Sequence, residues 1–102
     1  MKRTFAAIVE RTSRWDKSKE AQEQEGFAGH AQYMGGLEAD GFIVLAGLML
    51  TSTDVLFILQ AESEDEVQTR LAQDPWRQDG TTRLVRLEEI AIRTGGPQPK
   101  AE

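Results

Sequence analysis

The sequence predicts an α+β domain of β-α-β-β-α-β order with an antiparallel four-stranded sheet. Three observations carry that prediction. Four short segments have strand character, at residues 4–10, 42–50, 55–61 and 82–93. Two segments with helical signals separate the first strand from the second and the third from the fourth. Only the turn Thr51-Ser52-Thr53-Asp54 divides the middle strands, so those two form a hairpin.

Each element has its own reason. Residues 4–10 (TFAAIVE) put apolar side chains on both faces of a strand. Residues 11–25 are polar and irregular around one aromatic, Trp15. Their first half reads as a loop able to cover a site, and their second half allows a helix. From Gly26 to Asp40 the apolar residues Phe27, Ala31, Met34 and Leu37 recur at helical spacing, and His30 shares their side. Glycines at 26, 29, 35 and 36 oppose this helix, each at a cost of about 1 kcal/mol against Ala. Close packing against the sheet or against a ligand would account for them.

The run FIVLAGLML at 42–50 is a continuous apolar strand, and VLFILQA at 55–61 is its partner. Ser63-Glu64-Asp65-Glu66 has the form of a capping box opening the second helix, with Val67 and Leu71 on its buried side. Asp74-Pro75 stops that helix, because a residue before proline disfavours the α conformation. Gly80 opens a turn into the final strand at 82–93, whose charges mark it as an edge. The domain spans residues 1–94, and residues 95–102 read as a flexible tail.

Composition narrows the function classes. The net charge is −5, which opposes binding to nucleic acid or to an anionic membrane. There are no cysteines and one histidine, which removes disulfide, iron–sulfur and zinc-cysteine chemistry and any His-rich metal site. No metal and no cofactor are therefore expected. The apolar stretch after Lys2-Arg3 ends at Glu10, too short for a secretion signal, and no run nears the ~20 residues of a membrane span. The expected location is cytoplasmic.

Chain order also places chemistry. A right-handed crossover makes the first two strands parallel with the third between them. The start of the first helix, the exit of the second strand and the end of the second helix then share one end of the domain. His30, Gly47-Leu48-Met49 and Asp74 are thereby expected together, with Phe27 and Trp76 beside them. An imidazole held by a carboxylate suits proton transfer near neutral pH. The competing reading is a histidine bonded to a helix-end carboxylate for stability alone. Trp15 either caps a ligand or packs on its own loop. Arg11 and Arg14 read first as solvated loop residues and second as a site for an anionic substrate. The middle strands are apolar on both faces, and two helices cover only one. A second copy of the chain packed on the other face, as a homodimer, is the expected solution.

Several of these stretches resemble the YCII-related family of the dimeric α/β-barrel superfamily. They are Phe27-Ala28-Gly29-His30, Ala46-Gly47-Leu48-Met49, Asp74-Pro75-Trp76 followed by Gly80, and Val85-Arg86-Leu87-Glu88-Glu89-Ile90. The resemblance covers residues 4–93. It implies a ferredoxin-like domain dimerising through its sheet into an α/β barrel, with His30 and Asp74 as the active pair. It further implies acid–base chemistry of isomerisation, elimination or dehalogenation type on a small aromatic or polar organic molecule. Phe27, Gly47, Leu48, Met49 and Trp76 would bind that substrate. The short hairpin at 51–54 and the long segment at 11–25 depart from the family pattern, and both border the expected site. The alternatives are a non-catalytic dimeric binding or accessory module, and a sheet-surface monooxygenase of the broader superfamily.

Overall fold

Alternation in the first strand sets the two sides of the molecule. In a computed structural model, which describes residues 1–96, strand β1 spans Arg3–Arg11 and turns Phe5 and Ala7 into the core, both fully buried. Strands β2 (Ile43–Leu48) and β3 (Val55–Ala61) form the expected hairpin, and β4 (Thr82–Ile90) closes the sheet. The order is β2-β3-β1-β4 and every neighbouring pair is antiparallel. β1 and β2 are thus parallel with β3 between them, as chain order predicts.

Helices α1 (Phe27–Ala39) and α2 (Glu64–Ala72) lie on the face carrying Phe5, Ala7, Phe57 and Leu59. Leu37, Phe42, Val67 and Leu71 complete that core. The Tyr33 hydroxyl joins the helices by donating to the carbonyl of Arg70 at 2.7 Å. Burial raises its pKa above that of a free phenol, which keeps the donor proton in place.

Several details differ from the sequence reading. The second strand stops at Leu48, because Met49 joins the turn: its N–H donates to Asp54 O, and its carbonyl accepts from Thr53 N, both at 2.8 Å. Thr53 makes this closure in the left-handed region, at φ 63°. Ser63 caps α2 as expected, accepting from Glu66 N at 3.1 Å, but the Glu66 carboxylate reaches one residue further back, to Glu62 N at 2.7 Å. Asp74-Pro75 ends α2 and also begins a short helix, α3 (Pro75–Gln78). An aspartate at the cap with proline in the first turn is a start signal as much as a stop.

The last strand ends at Ile90, short of Arg93, and is an edge. Its register against β1 shifts between Ile8 and Val9. Most of the tail expected over 95–102 lies outside the described residues.

The opposite face of the sheet has no covering element among the described residues. The registers align Ala6 with Ile58, Ile8 with Leu56, and Leu45 with Ile58, giving an apolar band. These residues are half-buried by their neighbours, and Leu45 is 49% exposed. Among the described residues no helix is long and apolar enough to cross a membrane.

Burial separates two superficially similar apolar residues. Phe5→Ala should cost about 3–5 kcal/mol in chemical denaturation, a large share of the stability of so small a domain. Leu50, 88% exposed in the hairpin, should tolerate Ala within about 0.5 kcal/mol.

Candidate active site

Asp74 performs two tasks with one oxygen. As the cap of α3, its Oδ1 accepts from the Trp76 backbone N–H at 3.1 Å. The same Oδ1 lies 2.8 Å from Nδ1 of His30, on the first turn of α1. An ionised carboxylate can only accept, so Nδ1 carries the hydrogen and donates. In the neutral ring this leaves the lone pair on Nε2. Among the described residues Nε2 has no partner, and no side-chain nitrogen or oxygen is both buried and unpaired. Nε2 therefore faces accessible space.

Aromatic rings hold the imidazole on its other side. Trp76, 5% exposed, stacks on His30 with centroids 3.8 Å apart and planes 15° from parallel. Its indole N–H donates to the carbonyl of Glu25 at 2.9 Å, so the ring is anchored at both ends. Phe27 packs against it at a tilt, and Trp15 meets it edge-on at 5.2 Å. Gly26 starts α1 at φ 81°, in the left-handed region that favours glycine, beside the Trp76 ring. Gly29 lies beside Pro75 at the same junction.

The segment at 11–25 is tied down. Gln24, 6% exposed, accepts from Asp16 N at 3.0 Å through Oε1, and its amide donates to Asp16 O at 2.7 Å and Lys19 O at 3.2 Å. Thr12 N donates to Thr81 O at 2.9 Å. In place of a helix the second half holds one 3-10 turn, Ala21–Glu23. Trp15 packs on Trp76 of α3 rather than on its own segment, and it lines the cavity.

These groups wall a cavity of about 540 Å³ between α1 and the sheet. His30, Asp74, Phe27 and Trp76 line it together. Gly47, Leu48 and Met49 do not: the wall on β2 runs from Ile43 to Ala46, and the three expected residues lie beyond it, exposed, where β2 enters the hairpin. Chain order gives the end at which a strand leaves the sheet but not how far a helix covers it. Arg77 also lines the cavity, as does Arg11, whose guanidinium lies 4.0 Å from the centroid of the Trp15 ring. Arg11 reads in the sequence as a second-choice site for an anion, whereas the signal for Arg77 is its place one residue after Trp76, in a helix whose opening reads as a stop. Gln24 had no signal, because one amide in a polar segment looks like any other. Gly35 on α1 opens onto the cavity, with no atom within 4 Å of where its Cβ would be. Among the described residues no group of three His, Asp or Glu side chains could hold a metal ion.

Fold and site together define a small ferredoxin-like domain with an imidazole–carboxylate pair in the wall of a mostly apolar cavity. The chain belongs to the YCII-related domain family, whose model matches residues 7–91. A comparison with curated proteins finds no match. Among solved structures it is similar to the 5-chloro-2-hydroxyhydroquinone dehydrochlorinase of Burkholderia phenoliruptrix AC1100, in complex with 2,5-dihydroxybenzoquinone. The TM-score is 0.57 at 22% identity, covering 90% of this chain and 95% of that one. At that identity the likeness establishes a shared fold.

The two bonds to Asp74 Oδ1 can be separated. Asp74→Ala should destabilise the protein by about 1–2 kcal/mol through loss of the cap, whereas Asn, an equally good cap, should cost less. Nitrogen NMR of the single histidine should show the neutral ring carrying its hydrogen on Nδ1 in the wild type. A ring protonated at Nε2 would contradict the bond described.

Proposed function

We propose that the protein is a small-molecule enzyme in which His30 carries the proton and Asp74 positions it, acting without a cofactor on a small organic substrate. The observation that carries this reading is the 2.8 Å contact between Nδ1 and Oδ1 in the cavity wall, with Nε2 open to accessible space. A bond made only for stability would not require the ring to stand in the cavity wall with its second nitrogen left accessible. Nε2 can take a proton from a substrate C–H or O–H. The electron pair left behind can shift the double bond, or expel a leaving group such as chloride as the anion. The imidazolium then returns its proton to the product or to water. Isomerisation and elimination, including dehalogenation, share this half-reaction. The fold is shared with a dehydrochlorinase solved in complex with a quinone, and ring walls such as Trp76 and Phe27 suit a flat molecule of that kind.

The same reading has the protein working as a homodimer. The apolar band of Ala6, Ile8, Leu45, Leu56 and Ile58 is too continuous to be left in water, and a second copy offers the matching surface.

Chloride release from chlorinated di- and trihydroxybenzenes tests the chemistry. His30→Ala should lower kcat/KM by about 10²–10⁴-fold, the usual range for a general acid–base. A variant as fast as wild type on every accepted substrate would leave a binding module instead. For the assembly, sedimentation equilibrium should give a dimer for wild type and a monomer for Ile58→Arg. A wild-type monomer at micromolar concentration would remove the proposed dimer.

A further inference from the structure

Six of the eight arginines of this chain follow one of two patterns. Arg3 pairs with Glu89 at 2.9 Å, Arg70 with Asp40 and Glu66, Arg83 with Glu10, and Arg86 with Glu88. Arg14 and Arg93 have no salt-bridge partner among the described residues but are exposed, where water solvates them. Arg11 and Arg77 fit neither pattern. Both are half-buried, neither has a carboxylate within salt-bridge distance among the described residues, and both line the cavity that holds His30. Scarcity of acids does not explain this, since the chain has 17 acidic residues against 12 basic ones.

Partial burial of an unpaired cation is unfavourable, and a bound anion removes the penalty. The carboxylates on the wall are otherwise placed. Asp74 is engaged by His30 and by Trp76 N. Glu10 pairs with Arg83. Glu38 lies in the last turn of α1, more than two helical turns from His30, and is exposed. Arg11 is further fixed by the face of Trp15 beneath its guanidinium.

We propose that Arg11 and Arg77 recognise the negative charge of a planar organic anion, an aromatic carboxylate or an ionised phenol or enol, whose ring lies among Trp15, Trp76 and Phe27. This names the substrate class of the site and rests on the acid–base reading given above. Because they share a cavity with His30, the guanidiniums also offset the negative charge that grows on a substrate as its proton is removed.

The chain has two tryptophans, and both line this cavity, so quenching of their fluorescence reports occupancy directly. The probes are 2,5-dihydroxybenzoate and 2,5-dihydroxybenzamide, matched in shape and different in charge. Wild type should bind the benzoate tighter by roughly 10-fold or more, as expected of charge-assisted hydrogen bonds. Arg11→Gln and Arg77→Gln should each reduce benzoate affinity severalfold, and the double variant should show no preference. Unchanged amide binding shows that the pocket is intact, and Arg11→Lys controls for loss of the stacking on Trp15. Equal affinities in wild type, no quenching by millimolar benzoate, or a preference surviving in the double variant would overturn the proposal. His30→Ala separates it from the catalytic reading. A charge preference with full activity in that variant leaves anion recognition standing alone, and lost activity without any charge preference leaves only the acid–base pair.

Discussion

The site depends on a single oxygen, Oδ1 of Asp74. It accepts from the backbone of Trp76 and from the ring of His30, so one carboxylate joins the start of α3 to the start of α1. Without the cap, α3 has little reason to exist, since four residues cannot sustain a helix on propensity alone. Without α3, Trp76 would lose the position from which it stacks on His30 and donates to Glu25. The imidazole is held on one edge by a carboxylate and across its face by an indole. What remains free is Nε2, the atom that chemistry would use. A rotamer fixed from two directions is the preorganisation that proton transfer requires, because the proton moves only over hydrogen-bond distance.

Most of the fold was legible in the residues because the signals were local. Short apolar runs marked the strands, Ser63 marked the start of α2, and a four-residue turn marked the hairpin. Chain order then did what periodicity alone could not. It put His30 and Asp74 at one end of the sheet, and they meet there. The failures have physical reasons. Asp74-Pro75 was read as a stop because proline disfavours the preceding helix, while the same two residues satisfy the opening of the next one. Gly47, Leu48 and Met49 arrive at the correct end but leave the sheet beyond the cover of α1. The lateral reach of a helix is set by packing, which a single chain order does not encode.

The segment at 11–25 shows a different limit. Its composition is that of a mobile loop, and nothing in its periodicity suggests order. Order comes from Gln24, whose buried amide closes three hydrogen bonds on backbone groups of the segment. Such a residue acts as an internal template, satisfying polar groups that a loop would otherwise leave to water. The consequence reaches the site. With the loop held, Trp15 stays edge-on to Trp76, and Arg11 stays over Trp15. A chain of contacts thus runs from a loop amide through two indoles to the imidazole.

An acidic protein that takes an anion needs an electrostatic explanation. The net charge is −5, and at long range it repels an anionic ligand. That repulsion is screened beyond roughly 8 Å at physiological salt, so it slows encounter more than it weakens the complex. Inside the cavity the balance reverses. A guanidinium and an anion about 4 Å apart in a partly shielded site attract by about 4 kcal/mol before the loss of hydration is counted. Two such groups outweigh a diffuse negative surface. Paired arginines elsewhere on the molecule have their charge cancelled locally, as Arg83 does beside Glu10. The field within the cavity is therefore set by the few groups lining it, and the overall charge of the chain is a poor guide to what it binds.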